Sequence, residues 1–315
     1  MDAAARLSAR ARPASHPNPG VACILVRDEI VVGRGWTANG GRPHAEAAAL
    51  AQAGDAARGA TAYVTLEPCA HRSERGPACC DLLAHAGVAR VVAGVEDPDP
   101  RTAGEGLARL RRAGVATELL SSPAARASLA GYLARAAHAR PHVTMKIAMS
   151  LDGCIATAGG ESQWITGPQA RAHVHAQRAR ADAILVGGGT WRADRPRLDV
   201  RLPGLEHHAP QRIVLTRGVA PDGVRVINTP AQIAALEALY LYVEAGADIA
   251  ASLLADDLVD RLEIYRAPIV IGGGRGAVSN FGLAALDDAH GRWALVERRQ
   301  LGSDSFEAYS RQRQE

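Results

Sequence analysis

The chain has 315 residues, enough for two domains of ordinary size. Hydrophobic residues make up 47% and charged residues 22%, the balance of a folded globular protein rather than a disordered one. A net charge of +3 with only 4% aromatic residues argues against a nucleic-acid groove, and no run approaches the ~20 apolar residues that cross a bilayer.

The Arg- and Ala-rich start lacks the apolar stretch of a secretory signal and reads as a first helix ahead of the Pro17-Asn18-Pro19 turn. Apolar runs at 21–26 and 30–35 predict two strands. Pro43 then opens a run of helix formers (Ala45, Ala47, Ala48, Ala49, Leu50), which puts His44 and Glu46 in the first turn of a helix. Residues 62–66 predict a buried strand with Glu67-Pro68-Cys69 at its end. Cys79-Cys80 begin a second helix, closed by Gly87. Strands at 90–95 and 115–120 follow, then an Ala-rich helix over 123–139. It stops at Arg140-Pro141, where a domain boundary is expected.

The second half alternates in the same way, with strands at 143–148, 183–186, 213–215, 239–243 and 261–267 and an exposed loop over 201–210. Glycine turns at Gly187-Gly188-Gly189 and Gly272-Gly273-Gly274 follow strands, a pattern that brings backbone N–H groups to phosphates. No G-x-G-x-x-G fingerprint is present, so a Rossmann fold is not supported. The expectation is α/β architecture in two domains, 1–140 and 141–315.

His44, Cys69 and Cys79 carry the sharpest chemistry. One imidazole and two thiolates suit zinc, and three protein ligands keep the fourth position open for water, as in catalytic sites. Water on such a metal loses its proton near neutral pH. H-x-E followed by P-C and a further Cys is the arrangement of zinc deaminases, whose Glu moves protons without binding metal. Two alternatives stand beside this reading. Cys80 could replace Cys79, or His71 or Cys80 could close a purely structural site, which leaves Glu46 without a task.

Five cysteines without a signal peptide predict a reducing, cytoplasmic setting and no Cys69–Cys79 disulfide. Cys23 and Cys154 read as small core residues. Lys146 is the one lysine among 36 basic residues. In an apolar strand it points to a task for a compact ammonium with a tunable pKa, which arginine cannot perform.

Pro17-Asn18-Pro19, Pro43-His44-Ala45-Glu46, the run from Tyr63 to Cys69 and Asp97-Pro98-Asp99-Pro100 resemble the deaminase half of the bifunctional riboflavin-biosynthesis deaminase/reductase family. Ser150-Leu151-Asp152-Gly153, the run from Gly160 to Thr166 and Leu258-Val259-Asp260 resemble its reductase half, in the same order. The resemblance covers nearly the whole chain. It implies a cytidine-deaminase-like α/β/α sandwich followed by a dihydrofolate-reductase-like α/β domain. Two consecutive steps are implied as well. The first is zinc-dependent hydrolysis of the 2-amino group of 2,5-diamino-6-(ribosylamino)pyrimidin-4-one 5′-phosphate. The second is NADPH-dependent reduction of the ribosyl side chain to ribityl.

By resemblance, His44, Cys69 and Cys79 bind zinc, Glu46 is the proton shuttle and Asn18 contacts the pyrimidine. Lys146, Ser162, Arg178, Leu198, Arg201 and Glu244 line the reductase substrate site, with Arg178 and Arg201 suited to the substrate's 5′-phosphate. Ala148, Trp164, Thr190, Asp194 and the stretch from Gly246 to Ser252 meet NADPH. The implied partners are a small phosphorylated pyrimidine and further copies of the chain, as a dimer or tetramer.

The chain departs from the family pattern at several points. Nine residues separate Cys69 from Cys79, one more than expected, and Ala22 replaces the usual Gly before Cys23. In the second half Asp194-Arg195-Pro196 replaces Asp-Asp-Pro, Ala245 breaks Glu-Gly-Gly, and Thr216 stands where Asp is usual. The stretch from 228 to 240 looks shortened, and no arginine stands out for a cofactor 2′-phosphate. These changes keep two other readings open: a working deaminase with an impaired or retasked reductase-like domain, and a zinc-stabilised scaffold without turnover. Editing and free-nucleoside deaminases usually hold their two cysteines only two residues apart, which does not suit this chain.

Overall fold

Five strands build the sheet of the N-terminal unit in a computed structural model that describes residues 1–71, 76–219 and 222–313. They are β1 (Ala22–Arg27), β2 (Ile30–Trp36), β3 (Thr61–Val64), β4 (Arg90–Ala93) and β5 (Ala116–Leu119), in the order β2-β1-β3-β4-β5. β1 pairs antiparallel with β2 and β3, whereas β3, β4 and β5 run parallel. Asp28 and Glu29 turn the β1–β2 hairpin with φ of 51° and 62°, as a two-residue turn matched to strand twist requires.

The helices of this unit are α1 (Asp2–Ser8), α2 (Ala45–Ala53), α3 (Cys79–His85), α4 (Glu105–Arg112), α5 (Pro123–Ser128) and α6 (Ala130–His138). The single helix expected over 123–139 is therefore two. Ser128 Oγ bonds back to Ala125 O, and the chain bends at Leu129, which is fully buried. Pro43 lies just outside α2, whose N-cap is His44.

The chain folds as two compact units, Met1–Ala139 and Arg140–Glu315. The second unit carries β6 (His142–Met149), β7 (Cys154–Ala156), β8 (Ala183–Gly187), β9 (Gln211–Leu215), β10 (Arg225–Ile227), β11 (Tyr240–Glu244), β12 (Arg261–Arg266), β13 (Arg275–Gly276), β14 (Trp293–Leu301) and β15 (Asp304–Arg311). Eight of them form one sheet, β10-β9-β8-β11-β6-β12-β15-β14, and β7 with β13 form a small ribbon. The first six of the eight are parallel, and the last two add an antiparallel hairpin. Sequence patterning did not reveal that hairpin, because β14 is dominated by exposed polar residues such as Arg298, Arg299 and Gln300.

Helices α7 (Pro168–Arg178), α8 (Gly188–Asp194) and α9 (Ala247–Ala255) complete this unit. Apolar side chains fill both faces of the sheet. Val143, Met145, Leu185 and Ile213 belong to one cluster, and Ile184, Val186, Val214 and Tyr265 to the other. Burial on both faces is the condition under which a parallel sheet is stable. The connection from β10 back to β11 is short. It holds a 3₁₀ turn (Pro230–Ala235) and buries Ile233, Leu236 and Ala238 in the first of these clusters.

Two of the family motifs are anchors. Asp152 accepts the Ser150 hydroxyl at 2.6 Å and the amides of Ile271 and Gly272, which ties the second glycine turn to the end of β6. Asp260 accepts two bonds from the Arg140 guanidinium at 2.6 and 2.8 Å, the Val143 amide and Arg313. Burial opposes ionisation of Asp260, yet Arg140 and its other partners hold its carboxyl down at about 2. Its contribution is therefore present above the ordinary carboxylate range and lost as pH falls toward 2. Asp260→Ala leaves a buried guanidinium unpaired and should cost about 3–5 kcal/mol. Urea unfolding followed at pH 7 checks this, and the deficit should shrink at pH 2.

Candidate active sites

Helix α2 lies almost in backbone contact with β2. A β-carbon at Gly33 would stand 2.4 Å from Ala49 O, and one at Gly35 2.4 Å from Ala45 O. This close seat brings His44 at the N-cap and Glu46 in the first turn to the ends of β1 and β3. Beyond β3 the chain turns through Glu67-Pro68 to Cys69, and Cys79 opens α3.

Three ligand atoms converge there. His44 Nδ1 lies 3.3 Å from Cys79 Sγ and 3.7 Å from Cys69 Sγ, and all three lie within 4.8 Å of one another. A tetrahedral zinc with ordinary Zn–N and Zn–S bonds sets such ligands about 3.6 Å apart, so the donor set and its spacing fit the ion. The Cys79 N–H donates to Cys69 Sγ at 3.3 Å. Hydrogen bonds from Cys79 and from His44 hold the Cys69 thiol well below the usual range. The N-terminal turns of α2 and α3 both favour negative charge at this point.

Glu46 is only 3% exposed. Burial pushes its carboxyl up to about 7, in the range where a carboxylate can both take and give a proton. Cys80 Sγ is turned to Asp81 and the core cluster, and His71 faces Thr102 Oγ1 at 3.4 Å, so neither joins the group. The Asn18 side chain packs against Gly41, in the loop that leads to His44. Residues 72–75 of the Cys69–Cys79 loop, where the extra residue was expected, lie outside the described residues.

Glu67 was given no role from sequence. Its buried carboxylate accepts the amides of Asp97 (3.3 Å), Gly104 (2.9 Å) and Leu107 (3.0 Å), capping α4 and fixing the 97–104 turn. Gly106 lets α4 come this close, since a β-carbon there would meet Pro68 O at 2.0 Å.

In the second unit a cavity of about 1410 Å³ opens along the carboxyl ends of the parallel strands, at the place where the chain turns back to insert β11 between β8 and β6. Lys146, Ser162, Arg178, Leu198, Arg201 and Glu244 all line it. So do Ala148, Trp164, Thr190, Asp194, Gly246 and Ser252. Arg178 Nε is 2.6 Å from Glu244 Oε1, and its Nη1 donates to Asp199 O. Burial opposes ionisation of Glu244, but Lys146 and Arg178 outweigh it and hold its carboxyl low. Burial likewise pulls the Lys146 ammonium below its usual range. Trp164 is 65% exposed, with the Arg171 guanidinium 5.0 Å from its ring centre.

Reasoning from sequence passed over His175, which lines the same cavity and accepts the Arg201 amide on Nδ1 at 3.3 Å. Its spacing from Arg178, one turn along α7, was the available signal. Ala245 also lines the cavity, and it is absent from the positive-φ residues, so the missing family glycine creates no backbone strain.

These two sites define a zinc-dependent deaminase unit joined to an α/β reductase unit. Comparison with known proteins assigns the family. The profile described as "Cytidine and deoxycytidylate deaminase zinc-binding region" matches residues 1–95, and that described as "RibD C-terminal domain" matches residues 141–306. The chain belongs to the RibD family of riboflavin biosynthesis proteins, bifunctional enzymes that carry a deaminase and a reductase.

It is 39% identical to riboflavin biosynthesis protein RibD of Escherichia coli K12, with 96% of both chains covered. It is 38% identical to that of Haemophilus influenzae, over 96% of this chain and 94% of the relative. The alignment to the E. coli protein runs to 356 positions against 315 residues here, so the relative carries insertions that this chain lacks. Among solved structures, Acinetobacter baumannii RibD superposes with a TM-score of 0.84 at 32% identity, over 99% of this chain and 98% of that one. A deaminase/reductase from Thermotoga maritima gives 0.85 at 26% identity, over 99% and 97%.

The ligand assignment has a direct check. His44→Ala and Cys79→Ser should each purify without stoichiometric zinc, whereas Cys80→Ser should retain it. Elemental analysis of the three variants decides between Cys79 and Cys80.

Proposed function

We propose that residues 1–140 hydrolyse the 2-amino group of 2,5-diamino-6-(ribosylamino)pyrimidin-4-one 5′-phosphate, and that residues 141–315 then reduce its ribosyl side chain to ribityl with NADPH. The observation that carries the first step is the convergence of His44, Cys69 and Cys79 beside a buried carboxyl poised near neutrality. Zinc held by those three residues supplies the Lewis acidity that activates water for attack on the amino-bearing carbon. Glu46 takes a proton from the attacking water, returns it to the ring nitrogen, and delivers a second to the departing ammonia. Asn18 orients the pyrimidine.

The second step rests on a cavity large enough for a dinucleotide and a sugar phosphate together. Bound in this cavity, NADPH would supply the hydride for C1′ of the ring-opened imine form of the ribosylamine, whose nitrogen takes a proton from solvent. Lys146 and Glu244 hold the sugar hydroxyls, and Arg178 and Arg201 hold the 5′-phosphate. His175 keeps the Arg201 backbone in place. Helix α9 follows its N-cap Gly246, and its first amides suit the cofactor's pyrophosphate. The family match and the cavity support an intact reductase over an impaired one.

No helix among the described residues is long and apolar enough to cross a membrane. Five unpaired cysteines support a reducing compartment, the cytoplasm. Exposed Val270, Leu286, Leu295 and Val296 in the second unit support association with a further copy of the chain.

Glu46→Gln should reduce ammonia release by at least about 100-fold with zinc still bound. Unchanged release would remove Glu46 from the chemistry. Arg201→Ala should raise KM for the phosphorylated intermediate roughly 10- to 100-fold, the worth of a charged hydrogen bond. NADPH oxidation with the dephosphorylated riboside should change little. Supplying the diaminopyrimidine ribotide with NADPH and identifying the products tests the order of the two steps.

A further inference from the structure

Helix α7 buries two polar side chains one turn apart, and both grip the same short loop. His175 is 8% exposed and Arg178 9%. Arg178 Nη1 donates to Asp199 O at 2.9 Å, and the Arg201 amide donates to His175 Nδ1 at 3.3 Å. Leu198 and Val200 bury their side chains on either side of Asp199. Leu198 does so with φ of 54°, a left-handed backbone that leucine keeps only where its surroundings hold it.

The charges on the loop explain why it must be held. Asp199 pairs with Arg201 at 2.8 Å through one oxygen and with Arg197 at 2.7 Å through the other. All three belong to the loop, so these ion pairs aim the Arg201 guanidinium relative to the loop and to nothing beyond it. The two bonds from α7 are what set the loop against the cavity wall. Lys146 and Glu244 need no such support, because they stand opposite each other on paired strands.

An imidazole accepts a hydrogen bond at Nδ1 only while that nitrogen is bare and the proton sits on Nε2. The neutral ring is therefore part of the clasp. The charged groups that bear on it are Arg178 on its own helix, Arg201 on the loop and Glu244 on β11, and the Asp199 backbone also bonds to it. Burial, Arg178 and Arg201 together pull its pKa below the usual value, against the Asp199 backbone and Glu244. The ring thus takes up a proton only as pH falls through that lowered value. A proton on Nδ1 turns an acceptor into a donor that faces the Arg201 N–H.

We infer that His175 is a positioning residue for the substrate phosphate: its neutral ring holds the Arg201 loop, so that affinity for the phosphorylated substrate, and not hydride transfer, falls when the ring charges. This rests on the reading of the cavity as the reductase site.

Steady-state kinetics on the deaminated intermediate and on its dephosphorylated riboside test this, with a cooperative melt to show that each variant is folded. His175→Ala should raise KM for the phosphorylated compound roughly 3- to 10-fold, the worth of one hydrogen bond, with kcat and the riboside little changed. His175→Asn keeps an acceptor oxygen near the place of Nδ1 but cannot titrate, and it should recover most of that loss. From pH 8 to pH 5 the wild-type KM, taken relative to the riboside, should rise roughly 3- to 10-fold more than that of the Asn variant. The phosphate's own titration, near pH ~6, is common to both proteins and cancels. A wild-type KM that follows the Asn variant across this range, or falls below it in acid, overturns the role of the neutral ring. An Ala variant that impairs both compounds alike overturns it too, since the residue then serves the fold alone. If the wild-type chain oxidises NADPH with neither compound, the reductase reading falls and this inference with it.

Discussion

The near-contact between α2 and β2 is the constraint on which the deaminase site depends. Gly33 and Gly35 have no side chains to hold the helix away, and the facing positions are Ala45, Ala48, Ala49 and Ala53. Small residues on both surfaces let two backbones approach, and a methyl group on either would force a shift at a densely packed interface. The same approach fixes where the helix begins, and therefore where His44 and Glu46 stand. Glu67 and Gly106 do the equivalent for the opposite wall, since one carboxylate joins the turn before Cys69 to the start of α4. A site that must hold three ligand atoms in a fixed triangle is thus built from elements that cannot slide.

The reductase cavity solves a different problem. It holds buried charge, which is stable only when paired, and Lys146, Arg178 and Glu244 are arranged so that each ion faces another of opposite sign. Adjacent strands supply two of them in register, Glu244 opposite Lys146, so the pairing follows from parallel hydrogen bonding. Helix α7 supplies the third, together with His175 one turn earlier. Glu244 offsets only part of the cost of burying Lys146, and its ammonium therefore stays below its usual range. An arginine there would remain charged at any accessible pH, which accounts for a single lysine in an otherwise arginine-based chain.

Much of this was legible in the sequence where local pattern and chemistry agreed. The Ala-rich run after Pro43 gave α2, and the H-x-E, P-C and Cys79 spacing pointed to the three side chains that the fold brings together. Most strands of both sheets were evident as short apolar runs. What stayed hidden depended on tertiary context. The β14–β15 hairpin has one solvated, charged strand, so its hydrophobic signal is weak. The break at Leu129 comes from burial of one side chain in a stretch whose propensity is helical throughout. Glu67 reads as part of a motif, but its three amide partners lie thirty to forty residues away in the chain. Ala245 looked like an obstacle only because the backbone at that position was unknown.

The distribution of charge along the cavity explains how two anionic ligands share one opening. Both the sugar phosphate and the dinucleotide are drawn to arginine, so charge alone cannot sort them. Around Arg178, Arg197 and Arg201 three guanidiniums share two carboxylates, Glu244 and Asp199, so positive charge remains there as well. The ion pairs fix the direction of those donors, which adds geometry to charge. Arg171, Arg192, Arg195, Arg217 and Arg275 line the same cavity with no carboxylate partner among the described residues, and their field draws phosphate groups to it. Arginines held in ion pairs present their donors in fixed directions, whereas unpaired ones can turn toward whichever phosphate arrives.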